Sequence, residues 1–223
     1  MTDMKPQPPA ALRAIIWDDL RPVSPLWAPW QRALLTAPLA VVAMIAVVRA
    51  FGLRDDAVNV GPYLSWGAST VQAILGVVLV GLAMREAVPG RALPARSIVS
   101  ALLGGVGLMM AVTLVTYVAS PTFARAFWMP RFLWICFRDA FIVGAPVVLL
   151  SSFLVARARP LRPVIAGLLF GAGGGLIGDA AWRLFCDLSD PTHVLAAHGL
   201  AALANMCVGA LLAVAVEKLR GRT

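Results

Sequence analysis

Six apolar runs, at residues 33–51, 62–84, 98–119, 132–156, 163–184 and 193–216, leave this chain few ways to fold. Each is close to the ~20 residues a helix needs to cross the hydrocarbon of a bilayer. Lipid offers the backbone no water, so each N–H and C=O must find a partner inside the segment, and a helix provides it. The separators carry turn and charge signals: Arg54-Asp55-Asp56, Val88-Pro89-Gly90-Arg91, Ser120-Pro121-Thr122, Arg157-Ala158-Arg159-Pro160 and Asp187-Leu188-Ser189-Asp190-Pro191. Connections this short set consecutive helices antiparallel. The expected fold is all-α: a polytopic membrane protein with a bundle of six transmembrane helices. A short N-terminal cytoplasmic tail (1–32) precedes the transmembrane domain (33–216), and a short cytoplasmic C-terminus (217–223) follows it.

Composition agrees. Of the 223 residues 60% are hydrophobic and 13% charged, where a soluble domain carries roughly 45–50% and ~25%. Mean hydropathy is +0.83. The net charge of +8 reflects arginine collected at helix ends facing the cytoplasm rather than a nucleic-acid footprint, so no direct nucleic-acid partner is expected. With the N-terminus inside, 13 of the 19 Lys/Arg fall on the cytoplasmic side and 6 on the outer side, which places both termini in the cytoplasm. The first thirty residues are interrupted by Asp3, Asp18, Asp19 and several prolines, so a cleaved signal peptide is not expected.

Polar exceptions gather near one end of this topology. Cys136, Cys186 and His193 sit at the outer ends of the fourth, fifth and sixth spans, with His198 about one and a half turns deeper. Arg138, Asp139, Asp179 and Arg183 occupy comparable depths. Ionisable groups in a membrane are costly and either pair or line a cavity. Arg138 with Asp179, or Asp139 with Arg183, would satisfy the charges. Two outer-side thiols and a histidine support three readings: a structural disulfide, an oxidant sensor, or a metal site at Cys136, Cys186 and His193. Cys207, among apolar neighbours, reads as a small core residue.

There is no GxSxG, Walker loop or HExxH, and the chain has only two histidines, so an enzyme is not expected, nor a cofactor. The fifth span carries Gly167, Gly171 and Gly175 four apart, with Gly174 and Gly178 beside them. Small residues at this spacing let helix backbones approach, either within the bundle or in a homo-oligomer through Gly167, Gly171 and Gly175.

In the tail, Leu12, Ile15, Ile16 and Leu20 fall at helical spacing, with Arg13, Asp18 and Asp19 away from that stripe. Arg21 and Pro22 then end the helix, because proline restricts its predecessor. Such a segment fits the groove of a cytoplasmic partner, and its acidic residues argue against a resting place on anionic lipid.

The stretch from Asp19-Leu20-Arg21-Pro22-Val23-Ser24-Pro25-Leu26 to Pro29 and Arg32 resembles the opening motif of the NrsF family. The likeness continues through Ala158-Arg159-Pro160-Leu161-Arg162-Pro163, the glycine-rich fifth span, and Cys186 with Asp190-Pro191-Thr192-His193. The family comprises six-helix bacterial inner-membrane anti-sigma factors. The resemblance implies a chain that holds an ECF-type sigma factor inactive through its tail, at Leu12, Ile15, Ile16, Asp18, Asp19, Leu20, Arg21 and Pro22. It further implies that Cys136 and Cys186 sense an oxidant or heavy metal, with His193, His198, Arg138, Asp139 and Asp179 in support. Two other readings are a small transporter or channel subunit, with Arg138, Asp139 and Asp179 lining a polar pathway, and an assembly subunit that associates through its glycine face.

Overall fold

The computed structural model describes residues 9–19, 25–121 and 130–220. Leu20, Arg21 and Pro22 of the expected sigma-binding segment lie outside them, as do the side chains of Ile16, Asp18 and Asp19. Helix α1 spans Ala10–Asp19, with Leu12 and Ile15 exposed. The described residues contain six helical spans long and apolar enough to cross a membrane: Pro29–Phe51, Ala57–Glu86, Ala95–Ala119, Pro130–Ala156, Pro163–Trp182 and Pro191–Arg220.

Several spans are composite. The first consists of α2 (Pro29–Leu34) and α3 (Ala37–Phe51), separated where Pro38 enters the new helix with no N–H to donate. The second begins as α4 (Ala57–Pro62), but Gly61 adopts φ 71°, a conformation side chains resist, and breaks the run there. A π-helical stretch, Tyr63–Gly67, then leads into α5 (Ala68–Glu86). Helices α6 (Ala95–Ala119), α7 (Pro130–Ala156) and α8 (Pro163–Trp182) are single elements. The last span opens with α9 (Pro191–His193), widens into a π-helical stretch over Val194–Gly199, and continues as α10 (Leu200–Arg220).

Helix α8 is the axis of the bundle. Residues 169–184 are all buried, as expected of a helix apolar on every face. It packs against α5, α7 and α10, and its glycines permit the close approach. A Cβ on Gly171 would lie 2.5 Å from the Asn205 carbonyl oxygen, and one on Gly175 would lie 2.7 Å from the Ala202 Cα. Gly173 meets Gly76 of α5, and Gly174 meets Gly144 and Val148 of α7. Gly167, Gly171 and Gly175 are therefore covered by α10 of the same chain and do not offer a homo-oligomer contact. Cys207 also departs from expectation: it is exposed on the outside of the bundle, because α10 turns Ala201, Asn205 and Gly209 inward instead.

At one end of the bundle, Arg54 ties the connection before α4 to the one after α8. Its guanidinium binds both Asp56 carboxylate oxygens and donates to Ser189 Oγ at 2.8 Å, while its backbone N–H donates to the Leu184 carbonyl at 2.9 Å. Burial pulls the Asp56 carboxyl upward, but hydrogen bonds from Arg54 and Ser120 and the Arg54 charge outweigh it and hold the group below its ordinary value. At the opposite end, the buried Glu86 pairs with Arg162 at 2.6 Å and accepts the Leu93 backbone N–H at 2.7 Å.

Candidate functional site

Three separate elements deliver four buried side chains to one place. Cys136 projects from the second turn of α7. Cys186 follows α8 in a final turn, where its N–H donates to the Trp182 carbonyl at 2.9 Å. Asp190 then caps the last span, accepting the backbone N–H groups of Thr192 at 2.9 Å and His193 at 3.2 Å. This cap, with Pro191 in the first helical turn, fixes where His193 enters.

His193 and His198 are five residues apart. In an α-helix that separation rotates two side chains by about 140°, whereas the i→i+5 pattern of a π-helix brings them onto one face. The π-helical stretch Val194–Gly199 does this, and the two rings lie edge to face with centroids 5.6 Å apart. π-Bulges are frequent at functional sites, and here the bulge creates the site.

The Cys136 and Cys186 sulfurs are 3.8 Å apart, and Cys186 Sγ is 3.8 Å from His193 Nε2. One ligand atom from each of Cys136, Cys186, His193 and His198 lies within 4.8 Å of the other three. All four residues are buried. A hydrogen bond with Cys136, and then burial, push the Cys186 thiol well above its ordinary pKa.

A second layer of side chains orients His198. Its Nδ1 lies 2.6 Å from Asp179 Oδ1, and in the neutral tautomer that donates Nδ1–H to the carboxylate the lone pair is left on Nε2. That Nε2 is buried and has no hydrogen-bond partner. Asp179 Oδ2 accepts from Arg183 Nε at 2.9 Å and from the Gln72 amide. Arg183 in turn donates to Thr113 Oγ1 at 2.6 Å. The network joins α5, α6, α8 and the last span, and it neutralises a carboxylate that burial alone would not tolerate.

These residues fit a metal ion. Tetrahedral zinc with Zn–S of about 2.3 Å and Zn–N of about 2.0–2.1 Å requires roughly 3.8 Å between sulfurs and roughly 3.6 Å between sulfur and nitrogen. The Cys136–Cys186 separation matches the first, and the Cys186–His193 separation approaches the second. An imidazole with one nitrogen on a carboxylate and the other free is the usual arrangement behind a metal.

Of the residues singled out in the sequence, Cys136, Cys186, His193 and His198 converge, and Asp179 stands directly behind them. Arg138 and Asp139 do not join them: they pair with each other at 2.6 Å, and the Arg138 side chain is about half exposed. The expected pairs Arg138–Asp179 and Asp139–Arg183 are therefore replaced by Arg138–Asp139 and Asp179–Arg183. Neighbours on one helix already meet, which leaves no reason for the longer reach. Sequence reasoning missed Gln72 and Thr113. Gln72, an isolated amide in the apolar run 62–84, was the available signal.

Fold and cluster together define a class: a six-span helical membrane protein with a buried thiol–imidazole centre near one end. Over residues 17–217 the chain matches the family described as NrsF, negative regulator of sigma F, and it belongs to that family. No curated protein and no solved structure matches it.

Proposed function

We propose that this protein is an anti-sigma factor of the bacterial inner membrane, with both termini cytoplasmic, that holds an ECF-type sigma factor and releases it on an envelope signal. Residues 1–32 form the holding tail, with Leu12 and Ile15 on the face that docks, and residues 33–216 form the sensing bundle. The signal is read at Cys136 and Cys186, which face the outer side in this orientation. The observation that carries the reading is the meeting of two thiols and two imidazoles within 4.8 Å.

Such a centre accepts two kinds of signal. A soft or borderline divalent metal ion can be held by Cys136, Cys186 and His193, with His198 as a fourth ligand. Alternatively, a peroxide can oxidise the pair. The two thiols then give up two electrons and two protons, a Sγ–Sγ bond forms, and hydrogen peroxide, its O–O bond broken, takes up both and leaves as two waters. Oxidation draws the outer ends of α7 and α8 together, from 3.8 Å between sulfurs to about 2.05 Å, whereas a metal ion finds the sulfurs already spaced for it and draws the thiols and imidazoles of α7 and the last span toward one another. A hundredfold loss of grip on the sigma factor requires about 2.7 kcal/mol of differential affinity between the two states. Asp179 gives the transporter reading no support, since its oxygens are occupied by His198, Arg183 and Gln72.

The test replaces both cysteines by serine and follows transcription of the sigma regulon under peroxide and under Zn²⁺. Loss of induction by both signals is expected, with the sigma factor still recovered in the membrane fraction. Undiminished induction would remove the sensing role.

A further inference from the structure

Far from the thiol–imidazole centre, at the opposite end of the bundle, the buried Arg32 has no carboxylate partner among the described residues. Arg32, 4% exposed, donates from Nη2 to the Met84 carbonyl at 2.9 Å and from Nη1 to the Leu154 carbonyl at 3.3 Å. Both acceptors lie in the last turns of their helices, Met84 in α5 and Leu154 in α7. Carbonyls there lack a helical donor and sit at the negative end of the helix dipole. Arg32 caps two helices with one side chain.

Its position in the chain gives this contact a second meaning. Arg32 is the last residue of the tail and lies in α2, and α7 is the helix that carries Cys136. From Cys136 to Leu154 the helix runs 18 residues, about 27 Å at 1.5 Å per residue, nearly the full hydrocarbon thickness. We propose that Arg32 is the positioning residue through which α7 reaches the tail: by bridging Met84 and Leu154 it holds the root of the tail against the far end of the sensing helix. The inference rests on the reading of Cys136 and Cys186 as sensor and of the tail as sigma-binding segment. A signal that shifts α7 at the cysteine end, toward α8 on oxidation or toward the last span on metal binding, moves the Leu154 carbonyl at the other. The guanidinium cannot follow one carbonyl without straining its bond to the second, so α2 shifts and the tail's presentation changes with it.

The full-length protein carrying Arg32→Gln or Arg32→Lys tests this, with Zn²⁺ as signal, a sigma-dependent reporter in cells, and Co²⁺ absorption of the purified protein as a measure of the thiol–imidazole centre. Arg32→Gln is expected to bind Co²⁺ within about twofold of wild type while the induced-to-uninduced ratio falls to within about twofold of unity, the mark of lost coupling rather than lost binding. Arg32→Lys, whose single ammonium lacks the planar fork, is expected to keep only part of the ratio. A wild-type ratio in Arg32→Gln overturns the proposal. So does loss of Co²⁺ binding in that variant, which would make Arg32 a determinant of the fold alone. A second measurement leaves Arg32 in place: spin labels at Trp27→Cys and Leu161→Cys, both exposed positions, in a Cys207→Ser background. Their distance distribution is expected to change on adding Zn²⁺, and an unchanged distribution overturns the proposal. Induction that survives loss of both Cys136 and Cys186 would instead overturn the sensing reading, so the two failures are told apart.

Discussion

His198 Nδ1 lies 2.6 Å from Asp179 Oδ1, and that contact fixes the ring of a buried imidazole where it meets two thiols and a second imidazole. Asp179→Asn removes the charge that orients His198. Second-layer changes of this kind typically cost 10–100-fold in metal affinity, and a fall of that size is expected in a Zn²⁺ competition titration of the purified protein. Arg183 also loses its carboxylate, so thermal stability should fall as well, by about 3 kcal/mol for a buried charge left without its partner.

Gly171 tests the packing that frames the site. Its missing Cβ leaves room for the Asn205 carbonyl oxygen, which a methyl group would approach to 2.5 Å. Gly171→Ala must push α10 from α8 and is expected to destabilise the protein by about 1–3 kcal/mol, read as a lowered unfolding temperature in detergent. Gly104, with nothing within 4 Å of the same position, should accept alanine with little change.

Acid should release the Arg54–Asp56 fork. Its environment holds the Asp56 carboxyl below the ordinary value. The stability it contributes is fully present above the unfolded pKa of about 3.9 and is lost as pH falls through the lower folded value. Comparing wild type with Asp56→Asn between pH 7 and pH 3, wild type should lead by about 1 kcal/mol or less at neutral pH. The lead should close in the acid range.

Ile15 is exposed on α1 and belongs to the proposed docking face of the tail. Ile15→Glu is expected to weaken co-purification of the sigma factor at least about tenfold, in keeping with a buried apolar anchor at an interface. The unfolding temperature of the bundle should not change, which separates a docking role from a packing one.

Much of the architecture was legible in advance. Pro62 begins the second apolar run, and the chain breaks just before it at Gly61, whose φ of 71° suits glycine. The glycine spacing of the fifth run marked a close-packing helix, though not which neighbour would fill it. Charge pairing was less legible. Arg138, Asp139, Asp179 and Arg183 were known to need partners, but burial alone does not distinguish a partner across the bundle from one on the same helix. Cys207 shows the same limit: its apolar neighbours describe the sequence around it, not the face on which it lies.

The sequence by itself determined a bundle of six membrane-crossing helices, because hydrocarbon leaves the backbone no partner but itself and apolar runs of this length no other place to go. It also named Cys136, Cys186 and His193 as residues able to bind a soft ion, with His198 only in support. Only the tertiary structure decided that they meet. Cys136 and Cys186 are fifty residues apart, and their sulfurs close to 3.8 Å because the glycines of α8 let α7 come near. His193 and His198 share a face because a π-helical stretch, which the apolar pattern does not announce, resets the rotation between them.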